Sequence, residues 1–244
     1  MKAFARIAAL LALSIAVSAL AEATAASAVA TTPTTIHATY DVSKAGIQVG
    51  KVEERYQRID DKYTLVSVTR AVGLFAWFKS GKIIVNSSGM ITEHGLQPLI
   101  FDANNENNKD DRKHGDFDWA TKQISVTRGS QHSTLELPDN TQDRLSAMYQ
   151  FMFLPLEPQT ITPFPMLNGH YLTDLNFEVS EGSSIKVPAG EFTTRHLDNQ
   201  VQKKHERTEL WLATQFYNLL VKMVITDGDG GKLTQSLRKL QIDP

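Results

Sequence analysis

The stretch from Asn104 to Asp118 gathers the densest set of groups able to move protons or hold a cation: Asp110, Asp111, His114, Asp116 and Asp118. Carboxylates beside an imidazole suit a divalent ion or general acid/base work, and His114 with Asp116 is the pair that a hydrolytic reading would use. The same composition also describes a solvated hairpin tip, which is the weightier reading for a loop rich in Asn, Asp and Lys. Other motifs fail on spacing. Asp227-Gly228-Asp229-Gly230-Gly231 resembles the start of a calcium loop, but Arg238 stands where the closing glutamate is required. His205-Glu206 lacks the second histidine of a zinc-protease helix. There is no nucleophile elbow, phosphate-binding loop or dinucleotide fingerprint. No metal and no cofactor is expected.

A second set of candidates is apolar. Leu74, Phe75, Trp77 and Phe78 form a run too continuous for a half-exposed strand, and Phe164 and Met166 fall in a proline-rich stretch from Pro155 to Leu167 that reads as a loop. Aromatic and methionine side chains in loops can line the mouth of an apolar pocket, with Met148 and Met152 of a nearby helix contributing. Packing into the core is the competing reading for all of them.

The elements that must position these residues are mostly strands. Tyr63–Val72, Lys122–Arg128 and Leu219–Thr226 alternate apolar and polar side chains, the mark of a strand with one buried face. Asp60-Asp61, Ser87-Ser88-Gly89, Arg128-Gly129-Ser130 and the Asp227–Gly231 run read as turns. Near the end, Leu233 and Leu237 are in phase but Leu240 and Ile242 are shifted by one, which predicts a bulge. One segment has helical periodicity: Leu145, Met148, Tyr149 and Met152 fall at i, i+3, i+4 and i+7, predicting a helix over about 140–153, with Asp139 and Gln142 as its capping pair and Pro155 as its stop. About a dozen short antiparallel strands and one helix predict a mainly β protein: a strongly curved antiparallel sheet or open half-barrel with the amphipathic helix against its concave face.

The chain of 244 residues opens with Lys2 and Arg6, an uncharged apolar run from Ile7 to Ala21, and small residues beyond. That is the layout of a cleaved signal peptide, with Ala21 the favoured boundary. Residues 22–35 then read as a flexible leader and 36–244 as a single β-rich domain. There is no cysteine, so disulfides, thiolate metal sites and a lipid-modified cysteine are excluded. The expectation is a periplasmic protein exported through its signal, released and not a lipoprotein, with no membrane span after cleavage. Without Lys2 and Arg6 the chain has 23 basic and 27 acidic side chains, a mixed and mildly acidic balance with no footprint for nucleic acid.

Several segments together are similar to one known family. "AGIQVG" follows Tyr40, "TRAVGLFAWF" ends at Phe78, "GLQPLIF" at Phe101, and "QDRLSAMYQF" at Phe151; "VPAGEFTTRHL" covers Val187 to Leu197, and "ELWLA" Glu209 to Ala213. Their order resembles an uncharacterised bacterial family of secreted envelope proteins, the domain of unknown function 3108. The resemblance implies a periplasmic, β-rich protein and brings no catalytic residues. Asp143-Arg144 and Trp211, which match that pattern closely, read as a helix-end charge pair and a core tryptophan. The expected function is a non-enzymatic binding or carrier protein for an apolar or amphipathic envelope ligand, such as a lipid or lipoprotein acyl chain. The alternatives are a periplasmic hydrolase built on His114 and Asp116, and a structural partner of an envelope protein complex.

Overall fold

The computed structural model describes residues 32–73, 76, 81–199 and 207–244. The expected signal peptide, most of the leader, Leu74, Phe75, Trp77, Phe78 and His205-Glu206 lie outside these residues.

Among the described residues the alternating segments form a single open sheet of 15 strands. The first run of strands is β1 (Thr35–Lys44), β2 (Ile47–Ile59), β3 (Lys62–Ala71), β4 (Lys82–Thr92), β5 (Gly95–Asn105), β6 (Lys113–Asp118), β7 (Gln123–Arg128) and β8 (Gln131–Glu136). A two-residue strand, β9 (Gln142–Asp143), leads into helix α1 (Ser146–Gln150). The second run is β10 (Ile161–Leu167), β11 (Leu172–Val187), β12 (Gly190–Asp198), β13 (Arg207–Ala213), β14 (Leu219–Thr226) and β15 (Lys232–Asp243). Each run is a meander, and β1 pairs antiparallel with β15 to join them, leaving β8 and β9 at opposite edges.

Chain length shows that this sheet is rolled. Laid flat, its strands would span roughly 65 Å at the usual spacing near 4.8 Å. Yet Glu136 ends β8 and Gln142 begins β9, and the six residue steps between them reach at most about 22 Å. The two edges are therefore drawn toward each other without pairing. Side chains fill the seam: Leu167 of β10 packs with Phe101, Phe117, Ile124 and Val126 of β5, β6 and β7. Gly115 makes room for it, since a Cβ there would lie 2.9 Å from Leu167 Cδ2.

Several expectations change. The helix predicted over 140–153 shrinks to Ser146–Gln150, followed by a 3-10 turn at Phe151–Phe153. Asn140 has φ +60°, which ends any helix there, and the Asp143 carboxylate accepts hydrogen bonds from the Leu145 and Ser146 amides at 2.8 and 2.9 Å, starting the helix afresh. Asp139 and Gln142 are not a capping pair: Asp139 pairs with Lys122, and Gln142 is buried. The helical stop holds, with Leu154 extended before Pro155. The face that the periodicity picked out is the one that packs: Leu145 and Tyr149 join Ile36, Tyr56, Tyr63, Leu65, Ile91 and Leu96 in one core cluster, with Met148 and Met152 against it.

The stretch read as a proline-rich loop contains strand β10. Pro163 and Pro165 sit two apart, so their missing N–H groups face the same side, and β9 pairs with β10 only at Met166 and Leu167, which leaves the proline-bearing stretch an open edge. Ser87-Ser88-Gly89 is no turn but the interior of β4. There the register shifts, and a Cβ on Gly89 would lie 2.1 Å from the Gln97 carbonyl oxygen; the glycine serves close backbone approach. The predicted bulge is present: Thr39 pairs with Lys239 but Tyr40 with Leu237, leaving Arg238 as the extra residue.

Candidate functional site

The proton-transfer candidates come together outside the core. Alternation along β6 puts Gly115 and Phe117 on the core face and His114 and Asp116 on the other. His114 Nδ1 is hydrogen-bonded to Asp102 Oδ1 and Nε2 to Asp116 Oδ2, both at 2.9 Å. Partial burial works against its charge, but these two carboxylates outweigh that and hold the His114 pKa above its ordinary value. An imidazole engaged on both nitrogens has none left to accept a proton from a nucleophile. Among the described residues, no cluster of three or more His, Cys, Asp or Glu is arranged to hold a metal ion.

The apolar candidates separate. Phe164 is buried, with its ring 5.8 Å from that of Phe151 and 6.4 Å from that of Phe177, inside the core that β1, β2 and β10–β15 share. Met166 packs at the border of that core and Met152 at the border of the other, while Met148 touches both. Trp211 is not a core residue: it is half-buried, with the His196 ring 4.7 Å from its own and Lys222 Nζ 4.7 Å above it.

What sequence reading missed is a buried polar network. Strand β2 turns Val52, Glu54 and Tyr56 toward the core, and β3 does the same with Tyr63, Leu65 and Ser67. The Glu54 carboxylate accepts hydrogen bonds from Ser67 Oγ at 3.2 Å and Tyr149 OH at 3.1 Å. The Tyr149 ring stacks on Tyr56 at 5.8 Å. Deeper in, Ser87 Oγ donates to Asp143 Oδ2 at 2.5 Å, and Ser87 and Tyr63 are hydrogen-bonded at 3.1 Å. Among the described residues neither carboxylate has a cationic partner. Burial pushes both carboxyl pKa values up against the pull of their hydrogen bonds. Burial likewise pushes the Tyr56 phenol up to about 12 despite nearby Arg58. The Tyr56 hydroxyl is itself buried with no hydrogen-bond partner among the described residues. Asp143 is fully buried and Arg144 exposed, so they form no charge pair.

Two glutamines fasten the helix to β5 where β6 does not reach. Gln150 accepts from the Leu96 amide at 2.7 Å and donates to the His94 carbonyl at 2.7 Å; Gln142 donates to the Leu96 carbonyl at 2.8 Å. These side-chain amides take the place of a neighbouring strand, so the helical segment is hung on the sheet by side chains.

The chemistry this interior offers is hydrogen bonding: the hydroxyls that meet a carboxylate, those of Ser67, Ser87 and Tyr149, all belong to buried residues. Tyrosine hydroxyls and the two hydrogen-bonded carboxyls offer donors and acceptors next to methionine and aromatic surface.

Known proteins resemble the chain mainly in fold. A β-barrel-like protein of the domain of unknown function DUF1849 from Brucella abortus is 14% identical, with a TM-score of 0.53 over 86% of this chain and 98% of that one. Two proteins, one from Bacteroides fragilis provisionally described as exported and with a YmcC-like fold, the other from Parabacteroides distasonis provisionally described as a lipoprotein, are each 10% identical over 86% of this chain and 96% of theirs, at a TM-score of 0.38. Among curated proteins none matches. Among the described residues no helix is long and apolar enough to cross a membrane. The model of the protein family of unknown function DUF3108 matches residues 39–238, and the chain belongs to that family.

Proposed function

We propose that the protein is a non-enzymatic binding or carrier protein of the bacterial envelope, exported to the periplasm and taking an apolar or amphipathic ligand such as a lipid or acyl chain. In this reading the helical segment 146–153 lies against the concave face as a plug, and the ligand enters by displacing it. The observation that carries the reading is the Tyr56 hydroxyl, buried and unpartnered beside Glu54 and Tyr149. A buried polar group left unmade is costly, and the polar end of an amphipathic ligand would satisfy it while its tail met Met148, Met152 and Met166.

Protein purified from periplasm should release lipid on extraction, show a lipid-bound mass in native mass spectrometry and bind a fluorescent acyl probe. Tyr56→Phe should leave the fold as stable as before, because it removes a hydroxyl that bonds to nothing among the described residues, and should weaken the probe. No extractable lipid together with no probe binding would sink the proposal.

A further inference from the structure

The rolled seam carries a second feature, distinct from the tyrosine network. Cross-strand pairing sets Lys113 opposite Arg128 and Arg128 opposite Gln131, and Val126 opposite Ser133. Val126 is buried on the core face. By alternation Lys113, Arg128, Gln131 and Ser133 share that face, so two cationic side chains project from the side of the sheet that elsewhere carries the three core clusters. There they meet the turn between β10 and β11. Val126, Arg128, Gln131, His132, Ser133 and His170 line a cleft of about 380 Å³. A second, wider cleft of about 610 Å³ adjoins it, sharing Arg128 and Gln131 and adding Asp110, Arg112 and Ser130.

The charges here are incompletely matched. Asp111 serves two cations, Arg128 through Nε at 2.9 Å and Lys113 at 3.6 Å. Arg128 turns its Nη1 toward His170 Nδ1, at 3.5 Å, rather than toward a carboxylate. Lys113 lies along Gly169, close enough that a Cβ there would be 3.1 Å from its Cδ. Arg112 is exposed on the rim. The Arg128 guanidinium and the His170 imidazole, from separate parts of the chain, thus converge on a concavity that Gln131, Ser133 and Val126 also line, and the Lys113 side chain lies by Gly169, next to His170 in sequence. The planar guanidinium fork suits two oxygens of one anion.

We propose that this seam cleft binds a tetrahedral oxyanion of the phosphate class, with Arg128 as the principal contact and Lys113 and His170 beside it. The anion is either a free phosphoryl compound or the headgroup of an anionic lipid, and the site stands whether or not the interior carries an acyl ligand.

The test is calorimetric titration of the mature protein with inorganic phosphate, with short-chain phosphatidylglycerol below its micelle concentration, and with the matching phosphatidylcholine. Saturable binding of phosphate is expected, and Arg128→Gln should weaken it at least about tenfold, as losing a charge-assisted hydrogen bond does. Arg55→Gln, on the outer face of β2, should leave it unchanged. If Arg128→Gln does not fold, Ser133→Glu places a carboxylate in the cleft without touching the Asp111 pair and should abolish binding. Phosphate and phosphatidylglycerol binding alike supports a free phosphoryl compound; phosphatidylglycerol alone supports a headgroup. No saturable binding of either, equal binding of phosphatidylcholine, or equal loss in the Arg55 and Arg128 variants overturns the proposal. Loss of phosphate with unchanged binding of a neutral acyl probe separates this site from the interior one.

Discussion

At Glu54, one carboxyl decides how the interior responds to pH. Its pKa is raised above an ordinary value of 4.5 by burial, with the Tyr149 and Ser67 hydrogen bonds pulling the other way. A folded-state pKa above the unfolded one means that folding favours the proton. The corresponding stability is complete below the unfolded pKa and is lost as pH rises through the raised folded value. Asp143 is shifted the same way and adds to the trend. Glu54→Gln keeps an acceptor for Tyr149 and removes the titration. It should match the wild type in mildly acidic solution and become progressively more stable than it toward neutral and alkaline pH. Urea unfolding across that range checks this, and parallel curves for the two proteins would refute it. None of this network is visible along the chain, because its members are non-local: Glu54, Ser67 and Tyr149 meet only when β2, β3 and α1 pack.

Single elements show how far local pattern reaches. The alternation of Tyr63, Leu65 and Ser67 and the phase slip before Leu240 are local signals, and strand β3 and the bulge at Arg238 follow from them. The helix was legible as a face but not as a length, because Asn140 and Asp143 spend the residues before Leu145 on a turn and a cap. Ser87-Ser88-Gly89 has turn composition, yet the glycine is needed for contact across β4 and β5. Gly89→Ala would force its new methyl against the Gln97 carbonyl, and a cost of about 3 kcal/mol or more is expected in thermal unfolding. The glutamine clamp admits a sharper test. Gln150→Ala leaves the Leu96 amide without its acceptor and should lower stability by roughly 1–3 kcal/mol. It should also speed hydrogen exchange at Leu96 while leaving β12–β14 protected, and, if the helical segment is a plug, tighten binding of an acyl probe. Of the apolar site expected from sequence, Phe164 is spent on core packing, and Met148, Met152 and Met166 border the two core clusters.

For the whole molecule, the decisive pairing joins its most distant strands. Strand β1 lies between β2, its neighbour in sequence, and β15, nearly the whole chain away. Such non-local pairing closes late and folds slowly. It also holds the two meanders in one body, with three core clusters distributed along a single rolled sheet. An open roll with unpaired edges at β8 and β9 must keep those edges from recruiting other chains. The β8 edge is polar throughout except for half-buried Leu135, and β9 is only two residues long and buried.

The pairing of Thr35 with Asp243 has a further consequence. Thr34 Oγ1 also donates to the Pro244 carbonyl oxygen at 2.7 Å, so the two ends of the described domain touch. Tied together, they would make the polypeptide a ring, and around that ring each strand from β9 through β15 and β1 to β8 lies beside the next. The one place where succession and adjacency part is Leu137–Thr141, the short span from β8 to β9. A permutant with its ends joined by a short linker and reopened at exposed Asn140 should keep the wild-type circular dichroism spectrum. It should refold faster, since the longest-range pairing has become a local one. Failure of that permutant to fold would show that the covalent strap across the mouth, and not side-chain packing at the seam, is what keeps the sheet wound.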